Sequence, residues 1–138
     1  ELPDTGTIQG NKEPMAAVFQ EDRLCRNLTV QANIRLVNKR LSAERLRELL
    51  AAVDLEEAWD KKAGELSGGM CRRTAIARAL AADRNCILMD EPLSGLDPDT
   101  RIKVLDTIKK YTRGKTLLLV THEKQDAISL GADKILEM

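Results

Sequence analysis

The chain has 138 residues, a length that suits one compact domain, and its 43% hydrophobic content is too high for a disordered chain. The 22 Lys and Arg residues balance 22 Asp and Glu residues, so the net charge of zero gives no electrostatic basis for nucleic-acid binding. Three cysteines without metal-ligand spacing, Cys25, Cys71 and Cys86, indicate a reduced, cytosolic compartment, and no apolar run has the length of a membrane span.

The first predicted elements are two short strands. Residues 1–14 are rich in Gly, Pro, Asp and Thr, a composition that favours turns around a short strand near residues 7–9. The apolar run at residues 15–19 predicts a buried strand that ends at Gln20.

The middle of the chain predicts helices. Apolar residues recur at helical spacing from about residue 29 to residue 60, with a helix start at Ser42, and the pattern breaks at residues 61–64. A further helix is predicted over residues 67–82, with an apolar side and a charged side. The charged side carries Arg72, Arg73 and Arg78.

The last third of the chain alternates strands with helices. Apolar runs predict strands at 86–89, 116–120 and 134–136, and helices are predicted at 99–111 and 124–130. The first of these helices has one face formed by Ile102, Leu105 and Ile108.

This alternation predicts an α/β fold in which a parallel sheet of buried strands is covered by helices on both faces. The helical block interrupts the alternation. Residues 1–20 and 83–138 are therefore assigned to one core, and residues 21–82 to a small α-helical subdomain.

Polar residues follow three of the predicted strands, at Gln20, Asp90-Glu91 and His122. Ligands bind beyond the carboxyl ends of strands in open parallel sheets, so these side chains are expected to converge if the strands are neighbours. One of the two carboxylates can hold magnesium while the other deprotonates a water molecule. The alternatives are two solvated acids that end a strand, and a structural role for the single histidine.

A second candidate site lies at the start of the helix predicted over residues 67–82. Gly68 and Gly69 allow a close approach of the backbone to an anion, and a helix N-terminus offers free N–H groups and the positive end of its dipole. A phosphate fits such a place. The alternative is an ordinary helix entry in which Ser67 is the N-cap.

Taken together and in this order, five segments resemble the motifs of ATP-binding cassette (ABC) ATPases. They are Gln20 as the Q-loop, 66–70 (Leu-Ser-Gly-Gly-Met) with its helix as the signature motif, 86–91 as the Walker B strand with its glutamate, 94–97 as the D-loop, and His122 as the switch histidine. The resemblance implies a partial P-loop NTPase (RecA-like) fold, with the signature motif in the helical subdomain.

The resemblance also implies a role for each residue, with ATP and Mg²⁺ as the ligands. Gln20 would contact the magnesium ion and the attacking water, and Asp90 would hold the magnesium through water. Glu91 would be the general base, and His122 would sense the γ-phosphate.

The remaining implied roles concern partners. Ser67, Gly68 and Gly69 would bind the γ-phosphate of a nucleotide held by the other subunit of a homodimer or ATPase pair, and Asp97 would act across that interface. The family works with transmembrane permease subunits on the cytoplasmic face of the cell membrane. The short interval between Gln20 and Leu66 leaves room only for a compact helical subdomain. Glu65 before the signature motif, and the absence of a Gly-Glu-rich exporter-type loop there, resemble bacterial importers, in particular those for nitrate, sulfonate or taurine.

The sequence departs from the family's pattern in three places. Cys71 and Arg72 stand where glutamine is frequent, with little effect expected on phosphate contact, and no phosphate-binding Gly-x-x-x-x-Gly-Lys-Ser/Thr occurs. Residues 114–116 (Gly-Lys-Thr) lack the upstream glycine and precede a strand, so they predict a turn. The chain thus resembles the C-terminal part of an ABC ATPase, expected to hydrolyse ATP poorly alone; the alternative is a non-catalytic interaction module.

Overall fold

The computed structural model describes residues 13–137, and the strand predicted at residues 7–9 lies outside them. The described residues contain a three-stranded parallel sheet in the order β1-β2-β3. Its strands are β1 (Ala16–Val18), β2 (Cys86–Asp90) and β3 (Thr116–Val120). The three apolar runs that predicted these strands, and their parallel arrangement in an α/β fold, are confirmed.

Five α-helices accompany this sheet in the described part of the chain. They are α1 (Val30–Arg35), α2 (Ala43–Ala52), α3 (Gly68–Ala81), α4 (Pro98–Tyr111) and α5 (Lys124–Leu130), with short 3₁₀ turns at Glu56–Ala58 and Ala63–Glu65. The helical pattern at residues 29–60 thus contains two helices. The predicted starts of α2 and α3 are confirmed, because the hydroxyl oxygens of Ser42 and Ser67 accept hydrogen bonds from the third residue of each helix (3.3 Å).

One face of the sheet forms the centre of the core. Ile87 and Met89 of β2 are fully buried on this face, and α3 packs against β1. Helix α4 adds Val104 and Ile108 to the same cluster. The face predicted for α4 is therefore only partly correct, since Ile102 is 59% exposed.

The other face of the sheet is more open. Leu118 is 59% exposed and Val120 is 41% exposed, whereas Leu117 and Leu119 on the opposite face are half-buried. Within residues 13–137 the helices therefore cover one face of the sheet more fully than the other. A run of apolar residues does not distinguish a strand covered on both faces from one covered on a single face.

The strand predicted at residues 134–136 is wrong. These residues have no regular structure, and Ile135 and Leu136 are 42% and 75% exposed. A strand needs a neighbour for its backbone hydrogen bonds, and none pairs with this segment in the described residues.

A buried asparagine side chain fixes the second half of the loop between β1 and α1. The amide nitrogen of Asn33 donates to the carbonyl oxygens of Cys25 (3.1 Å), Leu28 (3.2 Å) and Thr29 (3.1 Å), and its amide oxygen accepts from the Cys25 N–H (2.9 Å). Asn33 is fully buried. Because water cannot replace these bonds, the shape of the loop depends on this residue.

We expect Asn33→Ala to lower the free energy of unfolding by about 1–3 kcal/mol, because it leaves buried backbone groups without partners. Urea denaturation followed by circular dichroism measures this change. The matched control is Asn27→Ala, because Asn27 is exposed on the same loop, and its effect should stay within about 0.5 kcal/mol. Equal effects of the two substitutions would contradict this role of Asn33.

Candidate active site

The ends of β2 and β3 bring an acid and the single histidine together. Asp90 lies opposite Val120 in the parallel ladder, and the N–H of Glu91 donates to the carbonyl oxygen of Val120 (2.9 Å). The Glu91 carboxylate then accepts the backbone N–H of His122 at Oε1 (2.8 Å) and lies 2.9 Å from His122 Nδ1 at Oε2. The predicted convergence is confirmed for these two residues.

The backbone of Glu91 leaves the strand in an unusual conformation. Its φ of 46° lies in the left-handed region, which L-residues rarely adopt and which clusters at functional sites. This turn separates Glu91 from Asp90, the last residue of β2, which remains half-buried in the ladder. The two adjacent acids therefore have different surroundings.

The contact with Glu91 changes the protonation of His122. The hydrogen bond and the negative charge of Glu91 raise the pKa of the imidazole, and Glu123, 3.6 Å from Nε2, adds a smaller effect in the same direction. Because the folded state favours the charged imidazole, this contact stabilises the fold below the ordinary pKa of about 6.5. The contribution is lost as the pH rises through the raised pKa.

The surroundings of Asp90 fit a magnesium ion better than a metal ion whose ligands are all protein side chains. Among residues 13–137, no cluster of three or more His, Cys, Asp or Glu side chains forms a metal site. Magnesium keeps several waters and binds through one or two carboxylates together with substrate phosphates. A single half-buried carboxylate at a strand end, beside Glu91, fits this requirement.

Gln20 is fixed by a hydrogen bond to its backbone carbonyl and not by its side chain. Its side chain is exposed and makes no hydrogen bond to Glu91 or His122 in the described residues, whereas its carbonyl oxygen accepts from Arg72 of α3. Arg72 also donates to the carbonyl oxygen of Phe19 (2.7 Å). Gln20 therefore lies at the end of β1 as predicted, but the structure does not bring its side chain to the Glu91–His122 pair.

Two arginines on the charged side of α3 bind the loop that follows β1. Arg72 is 11% exposed and forms an ion pair with Asp22 (3.2 Å), a contact without hydrogen-bond geometry. Arg78 donates to the carbonyl oxygens of Asp22 (3.0 Å) and Arg23 (2.9 Å). Together they fix the loop after β1 on α3, which sequence reasoning missed because no local pattern shows which carbonyls a guanidinium reaches.

The start of α3 is compatible with both interpretations of residues 67–69, an anion site and an ordinary capped helix entry. The Ser67 hydroxyl caps the helix, as the alternative interpretation required. A side chain at Gly68 would meet nothing within 4 Å, so its backbone faces open space, and one at Gly69 would lie 3.7 Å from Leu96. An accessible helix entry beside residues 94–97 can therefore accept an anion while its cap remains in place.

Asp97 caps the next helix. Its Oδ1 accepts from the N–H of Thr100 (3.0 Å), and the hydrogen bonds with Thr100 lower the pKa of this carboxyl. Arg73 joins the start of α3 to the end of α2, because it donates to the carbonyl oxygens of Gly69 (3.3 Å) and Val53 (3.0 Å). The segments at 67–69 and 94–97 are adjacent, because a side chain at Gly69 would lie 3.7 Å from Leu96.

The other departures from the family's pattern are structural. The Cys71 thiol donates to the carbonyl oxygen of Ala63 (3.7 Å), and burial raises its pKa.

Gly114, with a φ of 74°, forms the turn predicted for residues 114–116, and the Lys115 ammonium binds Asp83 (2.7 Å). No helix of the described residues has the length and apolar character of a membrane span.

Comparison with known proteins finds ABC transporter proteins at each level. A model of the ABC transporter family matches residues 3–94 of this chain. The carnitine transport ATP-binding protein OpuCA of Listeria monocytogenes is 44% identical over 88% of the chain, and the aliphatic sulfonates import ATP-binding protein SsuB 2 of Agrobacterium fabrum is 40% identical over all of it. The chain spans 32% of the first relative and 56% of the second.

A similar solved structure is that of MJ0796, described as a dimeric bacterial ABC transporter cassette. It matches with a TM-score of 0.74 and 35% identity. The match covers 83% of this chain and 55% of that chain.

Because His122 is the single histidine of the chain, one imidazole signal reports on the site. We expect Glu91→Gln to lower the His122 pKa towards about 6.5, because it removes the larger of the two acidic influences. A pH titration by NMR measures this value. Glu123→Gln is the matched control and should lower the pKa less; an unchanged pKa in Glu91→Gln would show that the contact is not formed in solution.

Proposed function

Because the chain belongs to the ABC transporter family, we propose that it forms the part of an ATPase subunit that activates the attacking water. The observation that carries this proposal is the contact of Glu91 with both the backbone N–H and the imidazole of His122, next to Asp90. A carboxylate held in one orientation can accept a proton from a water placed against it. The relatives named above are ATP-binding proteins, which supports ATP as the substrate.

In the proposed mechanism, Glu91 is the general base. Its side chain is 22% exposed, so water reaches the carboxylate while the two contacts to His122 restrict its rotation. His122 donates through its backbone N–H and holds the second oxygen at Nδ1, and its side chain is 68% exposed, so a phosphate can reach the imidazole. Asp90 would hold Mg²⁺ through water, and the ion, when bound, would offset the charge of the phosphates.

We further propose that residues 67–69 and Asp97 act in a dimer or ATPase pair. The open backbone at Gly68 and the free N–H groups of the α3 entry suit the γ-phosphate of a nucleotide held by another subunit. The dimeric state of the similar MJ0796 cassette supports this arrangement. Gln20 would join the site through movement of its loop, which Arg72 and Arg78 attach to α3.

Import is the proposed transport direction. The similar proteins are named for carnitine transport and for sulfonate, methionine and thiamine import, so three of these four names state import and they share no single substrate. A sulfonate, nitrate or taurine importer is the finer proposal, supported by SsuB 2, which matches the whole chain. The subunit would then bind permease partners at the cytoplasmic face of the cell membrane.

Glu91→Gln tests this function in a cassette that joins the chain to a phosphate-binding loop, with the 138-residue chain alone as the low baseline. We expect ATP turnover to fall about 10²–10⁴-fold, because the base is lost, and ATP binding to be retained. Phosphate release and nucleotide fluorescence measure the two properties.

The matched control is Glu123→Gln, an exposed acid beside the same histidine, which should leave turnover nearly unchanged. Unchanged turnover in Glu91→Gln would remove Glu91 as the base. A wild-type cassette that binds partners but hydrolyses no ATP would favour the alternative of a non-catalytic interaction module.

A further inference from the structure

A buried carboxylate lies behind the turn that carries His122. Asp126, in the first turn of α5, is 4% exposed. Its Oδ1 accepts from the guanidinium of Arg101 on α4 (2.6 Å), and its Oδ2 accepts from the hydroxyl of Thr121 (3.3 Å). One carboxylate thus joins α4, α5 and the end of β3.

The Thr121 hydroxyl defines the direction of these bonds. Its oxygen accepts from the backbone N–H of Glu123 (3.1 Å), so its one proton is available for Asp126. The turn at residues 121–123 is therefore held from its inner side by Thr121 and Asp126. On its outer side, the N–H and imidazole of His122 contact Glu91.

Arg101 extends this network to the helix that follows residues 94–97. Its backbone N–H donates to the carbonyl oxygen of Asp97 (2.8 Å), so Arg101 lies one turn into α4. Its guanidinium is close enough to oppose protonation of His122, whereas Glu91 and Glu123 favour it. Asp126 compensates the charge of Arg101 at 2.6 Å.

We propose that Asp126 is a positioning residue, which holds the turn at residues 121–123 so that His122 meets the Glu91 carboxylate, and which connects that turn to α4 through Arg101. The functional meaning of this contact depends on the proposed ATPase function, but the contact itself does not. A carboxylate suits the place because both of its oxygens accept hydrogen bonds, one from a cation and one from a hydroxyl. An asparagine has a single acceptor oxygen and no negative charge, so it cannot accept from both partners through separate oxygens or neutralise Arg101.

The test uses the 138-residue chain and NMR, so its result is independent of ATP hydrolysis. We expect Asp126→Asn to speed exchange of the His122 amide proton about tenfold, because the turn opens more often. The His122 pKa should fall at the same time, since Arg101 loses its partner and the Glu91 contact loosens. Asp133→Asn is the matched control, since it removes the same charge from an exposed site, and it should change neither value.

A second variant keeps the test decisive if Asp126→Asn fails to fold. Thr121→Val keeps the shape of the side chain and the Arg101–Asp126 pair, and removes the hydroxyl that donates to Asp126 and accepts from the Glu123 N–H. It should also speed His122 amide exchange. A folded variant of either kind whose His122 exchange and pKa equal those of Asp133→Asn would overturn the proposal, whereas loss of ATPase function in a cassette would leave this result unaffected.

Discussion

The parallel pairing of β2 with β3 is the constraint on which the site depends. Because Asp90 lies opposite Val120, Glu91 and His122 leave the sheet side by side and their contact needs no long loop. A shift of one residue in this register would turn the side chains of one strand to the other face and separate the pair. The left-handed turn at Glu91 then points the chain away from the sheet and leaves Asp90 in the ladder.

Helix α3 connects this sheet edge to the rest of the molecule through its arginines. Arg72 and Arg78 hold the loop after β1, and Arg73 joins Gly69 to the end of α2. These bonds go to backbone carbonyls, so the helix fixes the path of the chain, and ion pairs of Arg72 with Asp22 and of Arg73 with Asp54 accompany them. A displacement of α3 would therefore move Gln20 together with residues 67–69, which is the coupling that the proposed function requires.

The sequence predicted the features that depend on neighbouring residues alone, namely the helix starts and the ends of the strands. Ser42 and Ser67 mark helix starts because their hydroxyls satisfy N–H groups three residues later, and the polar ends of the apolar runs predicted the Glu91–His122 contact. The exposure of Leu118, the missing strand at residues 134–136 and the carbonyl partners of Arg72 depend on which elements lie next to each other. That information is tertiary, so the periodicity of the sequence does not contain it.

Glu91 and His122 are proposed to act as one hydrolytic unit, and a double-mutant cycle on ATP turnover is the decisive measurement. Glu91→Gln, His122→Ala and the double variant are compared in a cassette that includes a phosphate-binding loop. We expect the double variant to turn over ATP within about threefold of the slower single variant, because residues that act as a unit show strongly non-additive losses. Losses that multiply in the double variant would show instead that the two side chains act independently.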